Sequence, residues 1–365
     1  MPENKQSIKS TIVTLIILLI IALNSYSQTY DRRYNPNYMW TTFEEDFSGS
    51  ELDRKVWKPT THFKRGLGFL VDSPTTIDVR KGNLLLKMKR APNHLDSTWK
   101  TTGWQHVRSN FVGGEVSTIK KFQYGVFECR AKFAHRRGAW PAFWLIGGSD
   151  KPCPPGGPGN EIDIAELARE GEFPKMMHVI HHYQTPVDCD VSIQKNVNSK
   201  DYPISRTKRY YTFKCVWTPE KIQYFIDNEL KHEVINKNYD WFPSLPLNLM
   251  LSQQVLQAYD AYGEIKPRTP QRSLFSWVRV KQFFLAPEIS IPSLVASRGI
   301  ATLAVDSRAV DISWKLTPES QFTTPEGKGS SAHIIKAEGA TGPAKITYTF
   351  KMPSGEVFTS EKEFY

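Results

Sequence analysis

Cysteine is scarce in this 365-residue chain: Cys129, Cys153, Cys189 and Cys215 are all there are, and none sits in a CxxC pair. Beyond residue 27 no apolar run approaches the ~20 residues that a membrane-spanning helix needs. No 3.6-residue apolar period is sustained there either, which excludes a helix-rich enzyme. Glycine and proline, 22 and 24 residues, suffice for many turns and are too few for a collagen or a low-complexity scaffold. Hydrophobic residues at 40% and charged residues at 23% exclude wholesale disorder. Aromatics, by contrast, are plentiful at 12%, as is usual for β proteins, because rings suit a pleated surface.

The one stretch long and apolar enough to cross a bilayer lies at the start. Lys5 and Lys9 precede an apolar run over 12–23, and Ser25-Tyr26-Ser27 is a small-x-small cleavage pattern. This reads as a secretory signal over 1–27, with secretion or a periplasmic or cell-surface location and no membrane span once it is removed. An uncleaved anchor is the alternative, and no Cys follows the run to carry a lipid. In an oxidising compartment the four cysteines permit two disulfides in three connectivities. Like environments suggest Cys129 with Cys215 and Cys153 with Cys189, with free buried thiols left open.

The formal charge is +10, and beyond residue 288 eight basic and eight acidic residues cancel. Apart from a single charge in the signal, the excess therefore lies in 28–288. A basic segment attracts acidic polymers or is simply a solvated surface. Export and an acidic cluster described below oppose a nucleic-acid role.

Short β-rich runs separated by turn residues dominate the chain, among them 83–89 (NLLLKMK), 124–133 (YGVFECRAKF), 210–217 (YYTFKCVW) and 276–284 (SWVRVKQFF). Asp227-Asn228 between two such runs has the chemistry of a tight hairpin turn. The fold class is all-β, a sandwich or barrel. Near residue 288 the composition changes, and Ala286-Pro287 and Ile291-Pro292 look like a linker. The remaining residues, 289–365, hold short alternating runs around one tryptophan, Trp314, and fit a small immunoglobulin-like β-sandwich. The expected organisation is signal 1–27, main domain 28–288 and accessory domain 289–365.

The chemistry concentrates at 160–167, NEIDIAEL. In a regular strand Glu161 and Asp163 share a face while Glu166 points away. One extra residue in the ladder, a β-bulge, brings Glu166 back to their side. Two carboxyls about 5–5.5 Å apart are what a retaining glycoside hydrolase requires, one as nucleophile and one as proton donor. Three acids on a half-buried face cannot all ionise cheaply. An ordinary acid-out strand is the plainer alternative. The Pro/Gly loop 153–159 and the stretch 140–145 (WPAFWL) favour a cleft, since Trp140 and Trp144 can stack on sugar rings or serve as core.

Together with FQYGVFECRAKF (122–133), EEDFSGSELDRKVW (44–57), WTPEKIQYFIDN (217–228) and SWVRVKQF (276–283), these blocks resemble the family-16 glycoside hydrolases, in that family's order, over about 40–285. The resemblance implies a concanavalin-like β-jelly roll with an open substrate cleft. It also implies a retaining double displacement with Glu161 as nucleophile, Glu166 as acid/base and Asp163 as the assisting carboxylate. The implied substrate-binding residues are Trp140, Trp144 and Asn160, with His181 on the leaving-group side and His182 as its rival. His178, His181 and His182, with Asp188 and Cys189 nearby, do not make a trustworthy zinc spacing. Many members hold a structural calcium through an acid before the final VRV strand; here Ser276 stands there and Asp46 alone is a poor hard-cation site, and a structural calcium is left open through backbone carbonyls. No cofactor is expected to be required, the expected partner is a polysaccharide, and a monomer is expected.

The implied reaction is endo-hydrolysis of a β-linked polysaccharide. Laminarinase-like members commonly carry GEIDIME, whereas Asn160 and Ala165 here sit closer to carrageenase-like members. Basic clusters at 62–65, 87–90 and 136–137 suit a sulfated galactan or plain solvation. Neutral β-1,3-glucan and anionic galactan are left open. A non-catalytic carbohydrate-binding protein and a transglycosylase on the same fold are the rival readings.

Overall fold

The computed structural model describes residues 32–61, 63–65, 68–90, 111–134, 138–148, 158–168, 175–184, 193–203, 209–237, 242–255, 259–260, 263–264, 271–291 and 298–365. The signal stretch, Cys153, Cys189, His62, Arg136, Arg137 and Asp188 lie outside them. Among the described residues the regular structure is strand, apart from one 3-10 turn at Glu319–Gln321. Chain contacts divide the molecule into two units, Met39–Gln282 and a second that joins the residues up to Tyr38 with Phe283–Tyr365.

In the first unit, period-two alternation writes the strands directly. Tyr211–Trp217 and Lys221–Ile226 bury every second side chain. The turn between Lys221–Ile226 and Glu229–Ile235 holds Asp227 and Asn228 at φ 50° and 67°, as a two-residue hairpin of matching twist requires. One sheet runs Ile77–Val79, Leu84–Arg90, Gln271–Phe283, Gly125–Lys132, Tyr211–Trp217, Lys221–Ile226, Glu229–Ile235, with Met39–Glu45 also paired to Gln271–Phe283. A second runs Ile193–Pro203, Lys175–Gln184, Pro158–Ala168, Ala139–Gly148, Leu247–Val255, Phe111–Phe122, Trp57–Pro59. Leu84–Arg90 also pairs with Phe111–Phe122, so the ladder curls from one sheet into the other.

Their facing sides share one core. Phe143, Leu145, Ile162 and Ile164 come from the second sheet, and Phe127, Phe213, Trp217, Tyr224 and Val278 from the first. This is the jelly-roll sandwich. The suggested Cys129–Cys215 bridge is corrected: both thiols are free and buried. Cys129 lies opposite Phe213 and Cys215 opposite Phe127, so the two occupy diagonal rather than facing positions. Burial pushes both thiols well above their ordinary range, which keeps them as inert core residues.

The second unit has two sheets, Glu288–Ser290 with Arg298–Ala304 and Ser331–Ile335, and Glu326–Lys328 with Val310–Thr317, Ala344–Lys351 and Val357–Phe364. Tyr348 ties the two together by donating its hydroxyl to the Ala301 carbonyl at 3.0 Å. The segment before Tyr38 packs here, with Ala286 N donating to Arg32 O at 2.8 Å and the Tyr38 ring edge-on to Phe284. Gly327 lies flat against the buried Trp314; a Cβ there would meet the indole at 2.4 Å. Gly327→Ala is expected to destabilise this unit by about 1–3 kcal/mol through overpacking. Calorimetry on the full chain checks this, and an unchanged melting profile would contradict it.

Candidate active site

Ladder registers around Pro158–Ala168 contain the extra residue. Against Ala139–Gly148 the pairing passes from Asp163 opposite Trp144 to Ala165 opposite Phe143. Against Lys175–Gln184 it passes from Asp163 opposite Val179 to Glu166 opposite Met177. Both neighbours count one residue fewer between Asp163 and Glu166, which is a β-bulge. Its consequence appears in the burial: Ile162, Ile164, Ala165 and Leu167 all join the core. Two consecutive residues, Ile164 and Ala165, point inward, so Glu166 returns to the side of Asp163 and Glu161.

Directly opposed residues share a face, so the registers assemble the outer face of this sheet row by row. One row reads Glu166, Ala142, Ser252, Glu115. The next reads Asp163, Trp144, Met250, Ser117, Lys58. The third reads Glu161, Ile146, Asn248, Lys121. Glu161 and Glu166 are partly exposed, whereas Asp163 is 3% exposed. Trp140 donates its indole Nε1–H to Glu166 Oε1. Behind Trp140 in the ladder stands Gln254, whose amide donates to Glu115 Oε2 at 2.8 Å, and both are buried.

The two tryptophans part company. Trp144 is 3% exposed and packs with Ala142, Met250 and Ile146 in a small cluster separate from the main core. Trp140 is half-buried beside Glu166. Asn160 pairs with His182 and Gly147, and His181 pairs directly with Glu161; the side chains of Asn160, His178, His181 and His182 lie outside the described ones. Glu115, Ser252 and Gln254 escaped the sequence reading. The signal was present in alternation, since Leu247, Leu249 and Leu251 face the core and leave Ser252 and Gln254 on the acid face.

The basic clusters are placed differently from the acids. Lys87 belongs to the other sheet, opposite Arg272, and donates to Asp78 at 2.7 Å. Although burial opposes its charge, hydrogen bonds from Lys87 and Arg80 hold the Asp78 carboxyl below the ordinary carboxylate range. On the acid face, Lys58 and Lys121 appear at the far edge of the rows, on the two strands farthest from Glu166. For calcium, Asp46 Oδ1 already accepts the Ser48 N–H at 2.9 Å. Among the described residues no group of three His, Cys, Asp or Glu is placed to hold a metal ion.

The model of glycosyl hydrolases family 16 matches residues 70–268, more than half of the chain. The chain belongs to that family. It is 27% identical over 136 residues to a glucan endo-1,3-β-glucosidase of Cryptopygus antarcticus, covering 35% of this chain and 46% of the relative. It is 29% identical over 157 residues to a keratan-sulfate endo-1,4-β-galactosidase of Sphingobacterium multivorum, covering 39% and 34%. The family-16 crystal structure of SCLam, a non-specific endo-β-1,3(4)-glucanase, has a TM-score of 0.53 at 19% identity, covering 68% of this chain and 93% of its own. That likeness shows the shared fold. The chain spans less than two thirds of the length of the curated relatives it first matches. No helix among the described residues is long and apolar enough to cross a membrane.

Proposed function

We propose that this family-16 chain is a retaining endo-glycoside hydrolase acting on a β-linked polysaccharide. The observation that carries the reading is the bulge between Asp163 and Glu166, which gathers three carboxylates on one face of one strand. Glu161 is the nucleophile: its carboxylate oxygen attacks the anomeric carbon as the bond to the leaving oxygen breaks. Glu166 donates the proton that the leaving oxygen takes up, and a glycosyl ester of Glu161 forms. Glu166, now a carboxylate, removes a proton from water; the water oxygen attacks the anomeric carbon, the ester bond breaks and the β configuration is restored. Asp163 lies between them, and its charge favours a proton on its neighbour. Trp140 offers a ring face to a sugar. A partner residue on the leaving-group side is supplied by His181, which pairs with Glu161 in the ladder.

Within that class the described face favours a neutral backbone. Four carboxylates, those of Glu115, Glu161, Asp163 and Glu166, stand on its rows, against Lys58 and Lys121 at the far edge and Lys175 opposite Ala168 at the end of the catalytic strand. A sulfate next to the scissile bond would meet like charge. Glucan-cleaving relatives agree with a neutral β-glucan, and the keratan-sulfate enzyme keeps the galactan reading as the alternative. The reading further takes 1–27 as an export signal and 289–365 as an accessory module.

A panel digest tests it. The protein is incubated with laminarin, mixed-linkage glucan, agarose, porphyran and κ-carrageenan, and reducing ends and product sizes are followed. Oligosaccharides released from laminarin or mixed-linkage glucan are expected. Cleavage of a sulfated polymer alone would overturn the neutral assignment. Binding without cleavage of any polymer would overturn the enzyme reading in favour of a carbohydrate-binding protein.

A further inference from the structure

We infer that Trp140 is a positioning residue for Glu166, acting through its indole N–H in addition to any stacking of its ring on substrate. The inference rests on the proposed role of Glu166 as acid/base. Three observations carry it. The indole Nε1–H donates to Glu166 Oε1. Glu166 follows directly on the bulge, where the backbone changes its facing, so strand geometry alone holds its side chain less firmly than a residue in regular ladder. Trp140 itself is braced: its ladder partner Gln254 is 4% exposed and bonded to the fully buried Glu115. A rigid donor on a neighbouring strand thus reaches across to the carboxyl whose orientation the reaction depends on.

The chemistry of the contact gives it a direction. An indole N–H can only donate, so it favours the ionised carboxylate over the acid. It holds one oxygen in place in both halves of the cycle and leaves the other to carry the proton. It also tunes the switch: by stabilising the charged form it prepares Glu166 to act as base on the water in the second step. The other titratable groups around Glu166 are Glu161 and Asp163 on its own strand, Glu115 on Phe111–Phe122, and Asp201, which the same row reaches through Met177 on its other side. The adjoining strand Lys175–Gln184 carries Lys175, His178, His181 and His182. The strands Ala139–Gly148 and Leu247–Val255 add none. Trp140 is therefore a donor on a neighbouring strand that can change the balance without changing a charge.

The decisive variant is Trp140→Phe, which keeps an aromatic face and removes the N–H. Its basic limb of kcat/KM against pH is expected to move up by about one pH unit, because the ionised form has lost a stabilising hydrogen bond. KM for a laminarin oligosaccharide is expected to change less than about threefold, since the ring remains. Trp140→His, which can restore a donor, is expected to bring the limb back part-way. In parallel, 15N-indole NMR of the wild type is expected to show one indole N–H resonance that titrates with the basic limb and ceases to titrate in Glu166→Gln. This second measurement needs no Trp140 variant to fold. An unshifted limb in a folded Trp140→Phe, a raised KM with an unchanged profile, or indole resonances indifferent to pH would each overturn the inference. Failure of the underlying reading is separate: it appears as Glu166→Gln keeping wild-type turnover and profile, whatever Trp140 does.

Discussion

Glu161→Gln is expected to lose turnover of the susceptible polysaccharide by a factor on the order of 10^4–10^6, the range seen when an enzyme's nucleophile is removed. The substitution is nearly isosteric and replaces an attacking oxyanion with a neutral amide. Without it no glycosyl ester can form, and the double displacement stops before its first bond change. Glu161 is partly exposed and its strand neighbours Ile162 and Ile164 hold the core, so folding is expected to be preserved. Oligosaccharide affinity by calorimetry should stay within about threefold, because binding contacts are spread along the face and one carboxylate–amide change removes few of them. Reducing-end assays and the binding titration are read together. Turnover within tenfold of wild type would remove Glu161 as nucleophile; a collapse of both binding and melting temperature would make it a structural residue instead.

Glu166→Gln is expected to give a different signature, and the difference matters more than the loss itself. On polysaccharide, whose leaving group is a sugar alkoxide, the rate should fall about 10^2–10^4-fold, the usual contribution of general acid–base catalysis. On an aryl glycoside with a dinitrophenolate leaving group the first step needs no proton and should survive. The second step still lacks its base, so a burst of dinitrophenol followed by slow turnover is expected as the glycosyl ester accumulates. Azide, which attacks without giving up a proton, should relieve the block and yield a glycosyl azide of retained configuration. Equal losses on both substrates, with no burst, would deny Glu166 the acid/base role.

How much of this was legible in the sequence varies by kind of information. Strand content was fully readable, since Tyr211–Trp217 and Lys221–Ile226 alternate strictly and the Asp227-Asn228 turn carries its own chemistry. The bulge was readable as a requirement: Glu161 and Asp163 share parity and Glu166 does not, so only an extra residue reconciles them. Its location needed both neighbouring ladders, because register belongs to pairs of strands and a single strand does not encode it. The free state of Cys129 and Cys215 was not readable for the same reason. Both sit in apolar runs, and only the pairing of Gly125–Lys132 with Tyr211–Trp217 shows them diagonal. That one of Trp140 and Trp144 could be core was legible; which one was not. At i and i+4 on one strand they share a face, and only the strand beyond, with Met250 beside Trp144 and Gln254 beside Trp140, buries one and leaves the other at Glu166. Basic residues near 87–90 looked available to substrate; the fold puts Lys87 on the other sheet, bonded to Asp78.

The central claim is that the bulge makes Glu161 and Glu166 a retaining pair with Glu161 as the residue that bonds to sugar. Covalent trapping tests it most directly. The protein is incubated with an activated 2-deoxy-2-fluoro-β-glycoside of the sugar found in the panel digest, and the labelled peptide is sequenced by mass spectrometry. One sugar per chain, attached at Glu161, is the expected result. A label on Glu166 or Asp163, or full turnover of natural substrate with inversion at the anomeric carbon, would contradict it.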